Sequence, residues 1–123
     1  MSKQLIYDAV KTHLLAQNAK SVRFDVNGNV KNAYKESGAT PKKCAIGCLI
    51  LDPLYVPSIE GKNVDSADVL VLLRNSNIIS DVEMVDKNMV IFLRQLQDMH
   101  DTVSVDKWST VLDEFARFHG LTP

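Results

Sequence analysis

Four stretches of the chain repeat apolar residues at three- and four-residue spacing, which is the pattern of a helix with one buried face. They lie at residues 3–17, 66–74, 87–101 and 105–118. Residues that favour the helix N-cap position precede them, namely Ser2, Asp65 or Ser66, Asp86 and Ser104. Gly120 follows the last stretch, where a helix-ending glycine belongs. The stripes contain Leu5, Ile6, Ala9, Val10, His13 and Leu14, then Met89, Phe92, Leu93, Leu96 and Met99, then Val105, Trp108, Val111, Leu112 and Phe115.

A β-hairpin is predicted in residues 21–34, SVRFDVNGNVKNAY, because an Asn-Gly step stands between alternating residues. A loop of residues 27–29 pairs Val26 with Val30 and Val22 with Tyr34. A two-residue turn instead mixes polar and apolar side chains on each face. We therefore expect the three-residue loop, which gathers the apolar side chains on one face.

The second strand of this hairpin has an alternative partner. Residues 35–43, KESGATPKK, read as a loop from their composition. Residues 30–35 can pair across that loop with residues 42–45.

Residues 44–51, CAIGCLIL, form a short apolar run that is interrupted only by Gly47. Periodicity cannot distinguish a buried strand from a buried helix over eight residues, so both interpretations stay open. Asp52 and Pro53 end the run, because a residue before proline avoids helical angles. We expect Gly47 to mark the close approach of another backbone segment and Asp52 to cap one helical turn.

Together these elements predict a mostly α fold of the α+β class. Four to five helices pack around the buried central segment, with one small β-hairpin. A chain of 123 residues that is 46% hydrophobic suits a single domain over residues 1–123. The polar N-terminus predicts no signal peptide, and no window has the ~20 apolar residues of a membrane span. We expect a cytoplasmic protein without a cofactor.

Charge is unevenly distributed along the chain. Residues 1–43 hold eight Lys/Arg and three Asp/Glu, a balance of +5, whereas residues 44–123 hold six and twelve, a balance of −6. Such a dipolar surface can steer a partner. Basic residues around an aromatic ring predict a binding surface near the hairpin, which a nucleic-acid backbone can also use. The candidates are Lys31, Tyr34, Lys35, Lys42 and Lys43.

The two cysteines, Cys44 and Cys48, are interpreted as buried small hydrophobes, because a thiol in an apolar run is inert. An internal disulfide between them is not expected, since strand spacing holds them roughly 13 Å apart and a bridge within one helical turn is sterically poor. In an alternative interpretation, an enzyme or small-ligand site forms at the central loop from Cys44, Glu60, His100 and Asp101. Asp52 and Tyr55 extend this polar cluster. A structural network around the proline-rich loop explains the same cluster without catalysis.

The three histidines lie on or beside the apolar stripes of three helices. His13, His100 and His119 each stand near the C-terminal end of a predicted helix. There an imidazole can bond the terminal carbonyls and interact favourably with the helix dipole. Convergence of the three as a metal site is the alternative, but we predict no metal.

The central segment KCAIGCLILDPLYVPSIEG resembles a family of small, uncharacterised proteins of tailed phages and prophages. The family pattern is K-C-A-(I/V)-G-x-L-I-x-D-x-x-Y-x-P-x-x-E-G, and residues 43–61 follow it. The later LQDMHD, residues 96–101, is similar to a second family segment, and Trp108 to a Trp in its last helix. This chain departs from the family before the motif, where it has a longer loop. The resemblance implies a phage or prophage origin and a common fold, and it carries no established activity.

No phosphate-binding loop, nucleophile elbow or His-Glu-x-x-His motif is present. We therefore predict a small non-enzymatic phage accessory protein that binds a host or defence protein. An enzyme or small-ligand binder is the first alternative, and a nucleic-acid-binding protein is the second. The oligomeric state is left open.

Overall fold

The computed structural model describes all residues from Met1 to Pro123. Four α-helices and one two-stranded antiparallel sheet form the fold, which confirms the predicted mostly α class. In chain order the elements are α1 (Lys3–Gln17), β1 (Val22–Phe24), β2 (Val30–Asn32), α2 (Ala67–Asn75), α3 (Lys87–Thr102) and α4 (Trp108–Phe118). Single 3₁₀ turns occur at Gly47–Leu49, Asp52–Leu54, Pro57–Ile59, Glu83–Val85 and Val105–Lys107.

Three helices begin at the predicted caps. The Ser2 hydroxyl accepts from the Leu5 N–H, the Ser66 hydroxyl from the Val69 N–H, and the Asp86 carboxylate from the Asn88 N–H. These bonds satisfy backbone donors that the first helical turn leaves free.

The start of α4 differs from the prediction. Residues Val105–Lys107 form a 3₁₀ turn, and the Ser104 side chain makes no capping bond to it. The α-helix starts only at Trp108, whose indole N–H donates to the Val103 carbonyl at 3.0 Å. The bond therefore connects the buried indole to the residue that ends α3, across the 3₁₀ turn.

One cluster of 25 buried side chains forms the core, with members from every helix and from the central segment, residues 44–51. The predicted stripe of α3 is buried in full. In α1 the buried face is rotated from the predicted one, because Leu5 is 55% exposed and Tyr7 is buried instead. The Tyr7 hydroxyl donates to the Leu112 carbonyl at 2.9 Å, which gives this tyrosine a reason to point inward.

The register of the hairpin is not the predicted one. Phe24 pairs with Val30 and Val22 with Asn32, so the three-residue loop comprises residues 26–28 and is shifted by one residue. Gly28 explains the shift, because it has φ +80° and closes the loop where a side chain is disfavoured.

The arm, residues 33–36, continues from β2 and pairs with the start of the central segment. Lys35 and Lys43 form an antiparallel bridge, flanked by bonds from the Cys44 N–H to the Tyr34 carbonyl and from the Glu36 N–H to the Lys42 carbonyl. The chain thus uses both predicted pairings, β1 with β2 and the arm with residues 42–44.

The central segment is neither a strand nor an α-helix. It is a compact turn that contains one 3₁₀ turn, Gly47–Leu49. A Cβ atom at Gly47 would lie 1.9 Å from the Tyr34 carbonyl oxygen, which confirms the predicted close backbone approach. The arm therefore lies directly on the central segment, and only glycine fits between them.

Candidate functional site

Two of the predicted binding lysines share one carboxylate as their ion-pair partner. The ammonium groups of Lys35 and Lys43 lie 3.4 Å and 2.6 Å from Asp52 Oδ1. The bond from Lys43 holds the pKa of the Asp52 carboxyl below its usual value, and Lys35 adds to this effect. Asp52 was predicted to cap a helical turn, but its side chain makes no such bond. It joins the two strands of the arm pairing instead.

Two of the other three predicted binding residues, Lys42 and Tyr34, also have partners within the chain. The Lys42 ammonium lies 3.8 Å from Glu36 Oε1. Tyr34 is only 5% exposed, and its hydroxyl donates to the Lys62 carbonyl at 2.6 Å. Lys31 is exposed and makes no ion pair. The four lysines of the predicted basic surface face only two carboxylates, those of Asp52 and Glu36, and the buried aromatic ring is not available for stacking.

Glu60 is the junction between the arm and the central loop. Its carboxylate accepts from the backbone N–H groups of Tyr34 at 2.9 Å and Lys35 at 3.2 Å. It also accepts from the Tyr55 hydroxyl at 2.6 Å, and Arg23 Nε lies 4.0 Å away. The 3₁₀ turn Pro57–Ile59 directs the carboxylate toward these donors. Charge-assisted bonds of this kind are stronger than neutral ones, so Glu60 fixes the arm in place.

Tyr55 extends this junction toward β1. The Arg23 guanidinium donates to the Tyr55 hydroxyl at 3.0 Å and to the Lys35 carbonyl at 2.8 Å. The Lys35 ammonium lies 5.1 Å from the centroid of the Tyr55 ring. Burial raises the pKa of the Tyr55 hydroxyl, and its bond to Glu60 raises it further. Each polar group here has a partner within the chain.

Both cysteines are free thiols, of which Cys44 is buried and Cys48 is partly exposed. Cys44 is fully buried, and its sulfur accepts from the Gly47 N–H at 3.2 Å. The Cys48 thiol donates to the Ala45 carbonyl at 3.1 Å. Burial raises the pKa of Cys44 well above its ordinary value and that of Cys48 to about 12. A thiol in this state is a poor nucleophile, because the thiolate is the reactive form.

His100 lies at the centre of a buried polar network. The imidazole is fully buried, and its Nε2 accepts from the Ser21 N–H at 3.1 Å. Its Nδ1 lies 2.7 Å from Asp101 Oδ1, which also accepts from Gln97 Nε2 at 2.9 Å. Gln97 Oε1 in turn accepts from the Ile46 N–H at 3.1 Å. The network connects α3 to the start of β1 and to the central segment.

The four residues of the catalytic alternative fall into separate environments. Among Cys44, Glu60, His100 and Asp101, the pair His100–Asp101 is hydrogen-bonded, while Cys44 bonds to Gly47 and Glu60 bonds to the arm. The imidazole does not bond to the thiol. The arrangement can hold the fold rigid, and it pairs no nucleophile with a base.

The other two histidine side chains form hydrogen bonds with groups that do not belong to their own helices. His13 Nε2 lies 3.0 Å from the Lys43 carbonyl, and His119 Nε2 lies 2.8 Å from Gln95 Oε1. The expectation that the histidines bond the terminal carbonyls of their own helices is therefore wrong. Burial lowers the pKa of His119, and the nearby Lys3 lowers it further. No three His, Cys, Asp or Glu side chains converge to hold a metal ion.

A polar cleft of about 490 Å³ opens between residues 32–34, residues 61–65 and one face of α3. From α3 it is lined by Arg94, Gln97, Asp98 and Asp101. The sequence interpretation missed this cleft. The available signal was the helical spacing of residues 94, 98 and 101, which places their side chains together opposite the apolar stripe.

The hairpin tip, defined as Phe24, Val26 and Val30, exposes its apolar side chains. Their exposed fractions are 70%, 101% and 58%. The turn itself is well ordered by Asp25, whose Oδ1 accepts from the N–H groups of Asn27 and Asn29 at 2.9 Å each. These bonds, first the one from Asn29, lower the pKa of the Asp25 carboxyl. A fixed turn therefore presents apolar side chains to solvent.

No helix of the chain combines the length and the apolar character needed to cross a membrane. Comparison with protein-family models, with curated proteins and with solved structures gives no match. The resemblance of residues 43–61 to phage and prophage proteins stays a prediction.

Proposed function

We propose that the chain is a small phage or prophage accessory protein that binds a protein of the host cell or of its defence system. The hairpin tip carries this proposal. It holds three exposed apolar side chains on a turn that Asp25 stabilises. Apolar side chains grouped on a surface are typical of protein contact sites.

The charges beside the tip indicate the character of the partner. Lys31 is exposed and unpaired, and it lies opposite Arg23 in the hairpin. The N-terminal part of the chain, residues 1–43, has a balance of +5. A partner with an apolar depression bordered by acidic side chains complements this surface, because opposite potentials favour association.

The polar side chains of the catalytic alternative form hydrogen bonds within the fold, which supports a binding protein over an enzyme. Cys44, Glu60 and His100 each bond to structural partners, and the thiols have raised pKa values. Three of the four lysines that favour nucleic-acid binding form ion pairs with Asp52 or Glu36, and the Tyr34 ring that would stack on a base is buried. The enzyme and nucleic-acid alternatives therefore have less support than protein binding.

The test is capture of a partner from infected cells, followed by reconstitution with the purified partner. We expect one protein to bind the wild-type chain and to lose at least about tenfold in affinity with the double variant Phe24→Ser, Val26→Ser. Phe118→Ser is the matched control, since it removes an aromatic ring that is 81% exposed elsewhere.

Retention of binding by the hairpin variant would contradict the assignment of the tip. Co-purification of a metabolite or metal without any protein would contradict the proposal as a whole. Capture of nucleic acid, with binding that weakens steeply as salt is added, would favour the nucleic-acid alternative.

A further inference from the structure

We propose that the polar cleft is a binding site for an organic cation, namely a primary ammonium or a guanidinium group. This site is separate from the hairpin tip, and it does not depend on the proposed protein partner. The shape of the cleft and the two carboxylates in it that lack a cationic partner support this assignment.

The cleft has room and polar walls for a ligand. Its volume of about 490 Å³ lies in the range of small-molecule sites. The buried side chains of Ala33, Tyr34 and Val64 form part of the lining, and polar side chains provide most of the rest. The Tyr34 hydroxyl is fixed on the Lys62 carbonyl, so the arm side of the wall is rigid.

The cations of the cleft already have anionic partners. Lys62 forms a close ion pair with Asp68 outside the cleft. The Arg94 guanidinium lies 3.9 Å from Asp65. Lys20 donates to the backbone carbonyl of Asp101 and not to its carboxylate. Both cations that line the cleft thus have a carboxylate beside them, Arg94 with Asp65 inside the cleft and Lys62 with Asp68 outside it.

Two carboxylates of the cleft lack such partners. Asp98 is exposed, and its carboxylate makes no hydrogen bond or ion pair within the chain. Asp101 uses only Oδ1, which accepts from His100 and Gln97, and its Oδ2 makes no bond within the chain. Because buried groups hold Oδ1, the Asp101 carboxylate is oriented before any ligand arrives, which reduces the cost of binding.

The neighbouring amides complete a set of acceptors for N–H donors. The side chains of Asn32 and Asn63 line the cleft and make no hydrogen bond within the chain. An ammonium group has three donors and a guanidinium has five, and neither accepts a bond. The two carboxylates therefore favour a cation over an anion, and the two amide oxygens supply further acceptors for its N–H groups.

The experiment is a titration of the full ¹⁵N-labelled chain, followed by amide NMR shifts. The probes are agmatine and putrescine as free cations, and N-acetyl-arginine amide and N-acetyl-lysine amide as side-chain mimics. N-acetyl-citrulline amide is the uncharged control. We expect saturable shifts at Gly61, Asn63 and Asp98 with a Kd on the order of 1 mM for a cation, and none for citrulline.

The variants separate the two carboxylates. Asp98→Asn and Asp101→Asn should each weaken binding about tenfold, since each removes a charged acceptor. Asp101→Asn can retain both internal bonds on its amide oxygen, and it then presents an N–H donor to the cleft. Asp106→Asn is the control for net charge, because Asp106 is exposed outside the cleft.

Stronger binding of the side-chain mimics identifies a protein or peptide as the source of the cation, and stronger binding of the free amines identifies a metabolite. Equal binding of citrulline would overturn the proposal, as would unchanged binding by Asp98→Asn. That variant touches no internal contact and keeps the test valid if Asp101→Asn does not fold. Failure here leaves the hairpin tip untouched, because none of the probes depends on it.

Discussion

The central segment and the hairpin tip both group apolar side chains within a few residues, and the fold places them in opposite environments. Cys44, Ala45 and Ile46 are fully buried, whereas Phe24 and Val26 are largely in solvent. The central segment is covered by α1, the arm and α3. The hairpin packs its two strands on each other and leaves the tip uncovered. Apolar character alone therefore does not decide burial, because a second element must also cover the segment.

Thiol labelling gives the largest expected difference between the two regions. At pH 8 we expect Cys44 and Cys48 to react about a thousandfold more slowly in the folded than in the unfolded chain. The pKa of Cys48, about 12, exceeds that of a free thiol by roughly three units, so thiolate is scarce. Val26→Cys, at a fully exposed position, should react at the rate of a free thiol. The measurement is mass spectrometry after timed alkylation.

The same shifts give a pH dependence of stability. The folded-state pKa values of the thiols are raised, so ionisation favours the unfolded chain. The two thiols contribute their full stabilisation of the fold below a pH of about 8.5, the pKa of a thiol in the unfolded chain. This stabilisation is lost as the pH rises above that value. Rapid labelling of both thiols in the native state at pH 8 would show that the central segment is open.

Two glycine substitutions compare backbone packing in the two regions. Gly47→Ala should lower the free energy of unfolding by about 4 kcal/mol or prevent folding, because its Cβ would overlap the Tyr34 carbonyl oxygen. This cost is larger than that of an ordinary overpacked side chain, because the overlapped atom belongs to the backbone. Gly28→Ala should cost only about 1 kcal/mol, from its positive φ, since nothing lies near the new Cβ. Urea denaturation measures both, and equal costs would contradict the close contact of the arm.

Truncation of one apolar side chain in each region tests burial directly. Ile46→Ala should lower the free energy of unfolding by about 3 kcal/mol, because it leaves a cavity in the core. Phe24→Ala should change it by less than about 0.5 kcal/mol, since the ring is 70% exposed. A large cost at Phe24 would show that the tip packs against the fold, and the proposed contact surface would then have to move.

The smallest difference between a variant and its matched control is expected at the junction that connects the two regions. Glu60→Gln should cost about 2 kcal/mol, because a neutral amide is a weaker acceptor and turns N–H groups toward the donors of Tyr34 and Lys35. Glu114→Gln, at an exposed helix position, is the control and should be neutral. Thermal unfolding of the two variants provides the comparison, and equal midpoints would show that Glu60 contributes little.

The helices were predictable because their signals are local. The stripe of α3 and the caps Ser2, Ser66 and Asp86 lie within a few residues of the structure that they specify. The entry to α4 was not predictable in the same way. Its 3₁₀ turn depends on the place of Trp108 in the core, which is set by the rest of the chain.

The predicted register of the hairpin was wrong because it placed the apolar side chains together on a buried face. Here Phe24 and Val30 pair on a face that no element covers, and the backbone preference of Gly28 decides the loop. The conformation of residues 44–51 could not be predicted from the sequence either, since a run of eight apolar residues fits several conformations. Gly47 was the informative residue within that run.

The candidate site was only partly predictable. The grouping of Tyr55 with Glu60 and of His100 with Asp101 was expected, and both pairs are hydrogen-bonded. Their partners were not expected, because the backbone donors of Tyr34 and Ser21 lie 26 and 79 residues away along the chain. The polar cleft arises where three distant segments meet, so no local pattern records its shape.

The carboxylates of Glu60 and Glu36 have a further consequence for self-association. Glu60 occupies the N–H groups of Tyr34 and Lys35, and Glu36 accepts from the Val22 N–H at 3.0 Å. These side chains take donors that a neighbouring strand would otherwise use, and the two strands beside them have only three residues each. Fibril-forming stacks need segments of about six residues, so we expect this short edge to be a poor template for amyloid despite the apolar side chains beside it.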